Sequence, residues 1–268
     1  YEQDPVQLHH QFDEFIHSIP AVQTKNDHVS VLIAPHIDIR RGGPCFAHGY
    51  QELACREPAE QYILFGTAHQ SRSHYLTLTK KSYDTPFGPI ATNSDFVDEL
   101  NNRIGKTGFE EELLHKNEHS LEFQTLWLKY ILEENWPGSV VPILCGSFHH
   151  FVVEGKSPLE DQELRSALDT IRDMIRESGK KTTIIAGVDF SHVGKRFGHE
   201  SGIPESELTR VKQDDKEVIQ ALLTGSAETF YQSVEKIKDR NNICGLSPIY
   251  MALYVSAPSQ GRLLNYEQ

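Results

Sequence analysis

The stretch TTIIAGVDFSHVGKRFGHE (residues 182–200) changes character partway along. Thr182 to Val188 is a run of apolar and β-favouring residues without alternation, the pattern of a strand buried on both faces. It then delivers Asp189, Phe190, Ser191 and His192, followed by a basic, glycine-containing loop. The same design recurs at HVSVLIAPH (28–36), QYILFGTAH (61–69) and SVVPILCG (139–146), the last running on into His149 and His150. Four apolar strands thus each lead to a histidine. In an open parallel sheet, ligands bind beyond the carboxyl ends of the strands, so these histidines are expected to meet on one rim.

Between the strands the periodicity is helical. Residues 5–19 place Leu8, Phe12, Phe15, Ile16 and Ile19 on one face, and 158–179 is strongly amphipathic. Further helices are expected near 94–103, 118–134, 204–223, 226–238 and 244–257. RRGG (40–43) reads as a glycine turn ahead of a helix to residue 57, with Pro44 in its first turn. Residues 74–93 read as two short strands around a Pro/Gly turn, and 261–268 as an edge strand. Alternating strands and helices predict a single-domain α/β/α sandwich over residues 1–268, with a mostly parallel or mixed central sheet.

Composition narrows the partners. The chain has 268 residues and a net charge of −12, which argues against nucleic acid or an anionic membrane as its main partner. No stretch approaches ~18 consecutive apolar residues, and no charged-then-apolar leader is seen after Tyr1. Cys45, Cys55, Cys145 and Cys244 form no CxxC pair, so neither a disulfide framework nor a zinc ribbon is expected. A reducing cytoplasm is the expected compartment.

The chain carries 14 histidines and no poly-histidine tract. Imidazole suits zinc, copper, iron and nickel, and two or three such ligands make a catalytic metal site; it is also the usual acid/base near neutral pH. His36 and His69 follow tight small-residue turns (Ala34-Pro35 and Gly66-Thr67-Ala68) and form the first candidate ligand pair. His119 and Glu122, three residues apart, share a helix face. Such a pair can orient a substrate, hold a ligating imidazole, or simply be a solvated first turn. Cys244 stands just before the last helix, where a helix N-terminus favours the thiolate; a buried structural cysteine is the alternative. Cys45, Cys55 and Cys145 read as structural. Ser191-His192 and Ser71/Ser73-His74 raise a Ser/His hydrolase, which the absence of a G-x-S-x-G elbow weakens. H-E-x-x-H and the phosphate-cradling glycine loop are absent as well.

Taken in order, APHIDIRRGGP, FGTAH, DTPFGPI, NEHSLEFQTLWL, VPILCGS, GVDFSHVGKRFG and CGLSPIY resemble the Memo family, and more closely its bacterial branch, the B component of the AmmeMemoRadiSam system. The resemblance covers residues 28 to 257. It implies a fold related to class III extradiol dioxygenases, which use non-haem iron(II), and a metal site of two histidines and a cysteine. Matched by motif, these ligands are His36, His69 and Cys244, with Asp189, His192 and His119 as the acid and histidines beside the metal. This chain departs from animal Memo proteins after the first histidine, reading Asp38-Ile39-Arg40-Arg41-Gly42-Gly43, and Gln70 follows His69 where a second histidine is common. A more polar outer pocket follows.

The leading expectation is an iron- or copper-dependent redox protein acting on a small oxidisable substrate, with His192 as acid/base and zinc able to substitute. A second is a non-catalytic module that binds a small molecule or peptide beside AMMECR-like and radical SAM proteins. A third is a zinc-assisted hydrolase.

Overall fold

A computed structural model of the chain describes residues 1–71, 74–105, 107–132, 136, 138–197 and 202–268. Among these, the elements run α1 (Pro5–His17), β1 (Val31–Ala34), α2 (Ile39–Ala54), β2 (Gln61–Thr67), β3 (Leu76–Leu78), α3 (Ser94–Arg103), α4 (His119–Ile131), β4 (Ser139–Cys145), α5 (His149–Glu154), α6 (Gln162–Ser178), β5 (Thr182–Gly187), α7 (Glu205–Leu222), α8 (Ala227–Lys236) and α9 (Leu246–Ser256). The five strands form one sheet in the order β1-β5-β2-β4-β3. The first four are mutually parallel, and β3 closes one edge antiparallel to β4.

Why the strands read as unbroken apolar runs is visible in β2, every residue of which is buried. Tyr62 and Leu64 enter a core with α1, α2 and α4; Ile63 and Phe65 enter the opposite core with α3, α6, α8 and α9. A strand with helices on both faces has no side left for polar residues. The architecture is therefore an α/β/α sandwich with a mixed sheet, as the sequence predicts.

Several details differ from the sequence reading. Gly42 and Gly43 lie inside α2, not in a turn: the helix starts at Ile39, capped by Asp38, whose carboxylate accepts from the Arg40 N–H. Their role is close packing, since a Cβ on Gly43 would lie 2.3 Å from the Phe15 ring of α1. Pro44 consequently sits within the helix, where it removes one N–H donor. The second strand expected in 74–93 reduces to a bridge between Tyr83 and Ile90. His149 and His150 open α5 instead of ending a strand. Residues 261–268 form no strand. They are held by side chains instead: Tyr266 donates to Asp215, and the Gln268 amide to the Leu208 carbonyl. The last residues of the expected 118–134 helix, and Ser73, fall outside the described residues.

Register fixes where the loops leave the sheet. Ala34 of β1 and Gly66 of β2 both pair with Gly187 of β5, so three strands end side by side. His36 follows Ala34 by two positions, His69 follows Gly66 by three, and Asp189 follows Gly187 by two.

Candidate metal centre

The missing side chains of Gly66 and Gly187 let the start of α4 settle onto this edge. A Cβ at Gly187 would lie 2.3 Å from the Ser120 carbonyl oxygen, and one at Gly66 would lie 2.6 Å from Ser120 Oγ. The Ser120 hydroxyl donates to the Thr67 carbonyl at 3.0 Å and pins the approach. Glu118 caps α4 by accepting from the Ser120 N–H, and His119 opens the helix at the rim. The rings of His36, His69 and His119 form a triangle with centroids 5.1, 5.1 and 5.3 Å apart.

Three of the four site imidazoles are oriented through Nδ1. His36, 2% exposed, bonds the Gly187 carbonyl at 3.0 Å. A carbonyl can only accept, so Nδ1 carries the proton and Nε2 keeps its lone pair. His69 Nδ1 lies 3.0 and 3.1 Å from the two oxygens of Glu118, which also accepts from the His69 backbone N–H. His192 Nδ1 lies 2.8 Å from the Phe190 carbonyl and 3.1 Å from that of Asn242. Among the described residues, Nε2 of His69 and of His192 has no hydrogen-bond partner, and Nε2 of His36 faces the Cys244 thiol. Metal-binding histidines are held in this way, by a carbonyl or carboxylate on the other nitrogen.

The Cys244 thiol lies 3.4 Å from His36 Nε2 and 3.5 Å from the Asp189 carbonyl oxygen. The donor atoms of His36, His192 and Cys244 fall within 4.8 Å of one another; those of His69, Glu118 and His119 form a second such set. The structure thus brings His36 and Cys244 together with His192, while His69 faces them across the ring triangle and shares its set with His119. Asp189 accepts from the His36 N–H at 3.0 Å, and its other oxygen lies 3.7 Å from His36 Nε2.

Burial pulls the His36 imidazole down to about 4, against the opposing charge of Asp189. It pushes the Cys244 thiol up to about 12, overriding the lowering expected from its place before α9. For Glu118, burial alone would raise the carboxyl; the hydrogen bonds and charge of His69 outweigh it and hold the group at about 2. A neutral imidazole lone pair against a half-buried thiol suits a thiophilic cation, whose binding would displace the thiol proton.

Other expectations resolve differently. Glu122 does not act with His119: its carboxylate accepts from the Tyr1 hydroxyl at 2.6 Å. The acid that holds an imidazole is Glu118, whose signal in the sequence is a carboxylate directly before the helix-opening histidine. His149 lines the same cleft but pairs with Asp239 at 3.4 Å and belongs to neither cluster of donor atoms. Ser191 donates to Asp215 instead of to His192, which removes the Ser/His pair at that position. The loop that supports His192 has only a faint signal in the sequence. Lys238, Asp239 and Asn242 there have φ of 53°, 44° and 51°, and Asn241 offers its carbonyl to the His192 N–H at 2.7 Å. Left-handed backbone at non-glycine residues costs energy and persists where surrounding structure demands it. The NN pair before ICG was its sequence trace, since asparagine tolerates that region.

The fold and this cluster define an α/β sandwich that gathers imidazoles and one thiol at the carboxyl edge of its sheet. The family model described as Memo-like protein matches residues 1–268, and the chain belongs to that family. A MEMO1 family protein of Methanosarcina mazei is 27% identical over 267 residues, covering 98% of this chain and 87% of its own. One of Pyrococcus horikoshii is 26% identical, covering 81% and 71%. One of Aquifex aeolicus is 25% identical over 88% of this chain and 58% of its own. Among the described residues no helix is long and apolar enough to cross a membrane.

Proposed function

We propose that this single-domain chain is a metal-dependent redox protein of the AmmeMemoRadiSam B type, binding iron(II) or copper through His36, His69 and Cys244 and acting on a small oxidisable substrate in the cytoplasm. The observation that carries this reading is the shared orientation of the histidines: Nδ1 is tied down in each, and Nε2 of His36 meets a half-buried thiol. Two imidazoles and a thiolate suit both metals, with zinc able to substitute. Bound there, the metal would supply redox chemistry and open positions for substrate. Glu118 keeps His69 in one tautomer. Asp189 fixes the His36 backbone and adds negative charge beside it. His192, with Nε2 free and its N–H and Nδ1 anchored on carbonyls, is placed to hold or move a proton, and His119 forms the opposite wall.

The test is metal content after anaerobic purification, with oxygen consumption measured on catecholic candidates with and without iron(II) or copper. His36→Ala and Cys244→Ala are expected to abolish stoichiometric metal. Unchanged metal in both variants would refute the ligand assignment. His69→Ala and His192→Ala then decide which imidazole completes the set.

A second reading is favoured by the cleft that contains the cluster, about 2000 Å³ in volume. That is larger than a typical small-molecule pocket and suits a peptide held by a non-catalytic module working beside AMMECR-like and radical SAM proteins. Metal binding without any oxygen chemistry would support it.

A further inference from the structure

The chain carries a net charge of −12, yet the cleft around the histidines presents uncommitted cations. Arg40 and Arg41 lie in the first turn of α2, four and five residues after His36; Lys195 and Arg196 lie three and four residues after His192. All four are exposed and line the same cleft as His36, His69 and His119. Among the described residues none of the four side chains has an acidic partner, whereas Arg56 and Arg262, further along the cleft, are both paired to Glu52.

Five of the acids that line the cleft have hydrogen-bond donors of their own, Glu267 taking the Asn265 amide. Asp38 accepts from the Arg40 backbone, Asp189 from the His36 backbone, and Asp239 from the Ile243 N–H. Asp215 receives both the Ser191 and Tyr266 hydroxyls. These carboxylates keep their charge, but among the described residues none forms an ion pair with Arg40, Arg41, Lys195 or Arg196. Apolar surface is exposed there too: Ile37, Phe197, Leu208 and Leu263 line the same space and are among the few large hydrophobic side chains left open to water.

We infer that the cleft recognises an organic acid: a carboxylate bound by Arg40, Arg41, Lys195 and Arg196, attached to an apolar body lying along Ile37 and Phe197. This deepens the proposed function by naming its substrate class, and rests on it only for the idea that the ligand is a substrate. Guanidinium groups bind carboxylates bidentately, and two basic pairs flanking one opening would draw an anion toward the histidines in spite of the chain's overall charge.

The test uses hydrocinnamate against its neutral isostere hydrocinnamamide, with binding followed by calorimetry on the full chain stripped of metal and repeated in His36→Ala. Hydrocinnamate is expected to bind at least about tenfold more tightly than the amide, the size of one charge-assisted hydrogen bond. The advantage should fall with added salt and be lost in Arg40→Gln/Arg41→Gln and in Lys195→Gln/Arg196→Gln. These positions are exposed, so both variants should fold; unchanged circular dichroism would verify it. Equal binding of acid and amide, or affinity unchanged in both double variants, would overturn the inference. So would displacement of hydrocinnamate by an equimolar amount of inorganic phosphate, which marks a simple anion site with no apolar recognition. Because the readout needs no metal, loss of the redox reading would leave this result standing.

Discussion

His115 offers a titration that can be isolated from the rest of the molecule. Its Nε2–H donates to the Thr77 carbonyl at 2.9 Å, and its Nδ1 accepts from the Tyr83 hydroxyl at 3.0 Å. The neutral ring is therefore fully bonded, and a second proton would force the Tyr83 hydroxyl to turn from donor to acceptor. Burial, opposed by the Thr77 carbonyl and by Glu112 and Glu118, lowers its pKa from 6.5 to about 4. A depressed histidine favours the folded state when neutral. Its contribution is whole above pH 6.5 and drains away as pH falls toward 4. At 1.4 kcal/mol per unit, protonation costs the fold about 1.4 kcal/mol at pH 5.5, about 2.5 at pH 4.5, and about 3.5 at the limit. His115→Gln keeps a donor and an acceptor but cannot titrate. At pH 7.5 it is expected to be less stable than the parent by about 1 kcal/mol, for the poorer hydrogen-bond geometry. At pH 4.5 the order should reverse, with the variant ahead by about 1.5 kcal/mol, the difference of those two figures. Urea unfolding followed by tryptophan fluorescence on metal-free protein measures both. Taking the difference between the two proteins cancels the other titrating groups. A parent-minus-variant difference that stays flat from pH 7.5 to 4.5 would refute the reasoning, because it would mean the ring is protonated without penalty.

Other consequences can be measured on the same material. Gly187→Ala places a methyl 2.3 Å from the Ser120 carbonyl, so α4 must shift; a loss of about 1–3 kcal/mol should accompany a displaced His119 ring resonance in NMR spectra. Gly43→Ala drives a methyl into the Phe15 ring and should cost a similar amount, partly restored by Phe15→Ala in the double variant. Trp127 is fully buried, stacked on Phe12 at 4.1 Å, and its indole N–H has no acceptor among the described residues. Trp127→Ala should therefore cost about 3–5 kcal/mol, while Trp127→Phe, which removes that unpaired donor, should cost clearly less in the same unfolding assay.

Much of the fold was legible because burial on two faces leaves a plain record. TTIIAG and QYILFG cannot alternate when helices cover both sides, and α6 shows its single buried stripe, Leu164, Ala167, Leu168, Ile171 and Met174. Gly42 and Gly43 were misread because local rules assign paired glycines to turns, while here the reason for them is a phenylalanine contributed by a different helix. Residues 261–268 look strand-like in composition, but no strand edge receives them, and Tyr266 and Gln268 bind side chain by side chain instead. In the site, strand-end position marked out His36, His69 and His192. The partners of their Nδ1 atoms were harder to find, because two of the three are held by backbone carbonyls, and a carbonyl leaves no residue-type signature. Cys244 misled in its acidity for a related reason: position along a helix is readable in sequence, whereas depth is a property of the assembled core.

The histidines of this edge differ in one respect that bears on how the site could change. The tautomer of His36 is fixed by the Gly187 carbonyl, a main-chain atom in the middle of the sheet's edge. No single substitution can remove that acceptor, so the ring's orientation is inherited with the fold itself. The tautomer of His69 depends on the Glu118 side chain, which one nucleotide change could replace. Laboratory selection for a new reactivity should therefore find its variation around Glu118 and His69, while His36 stays as the fixed reference against which the altered half is positioned.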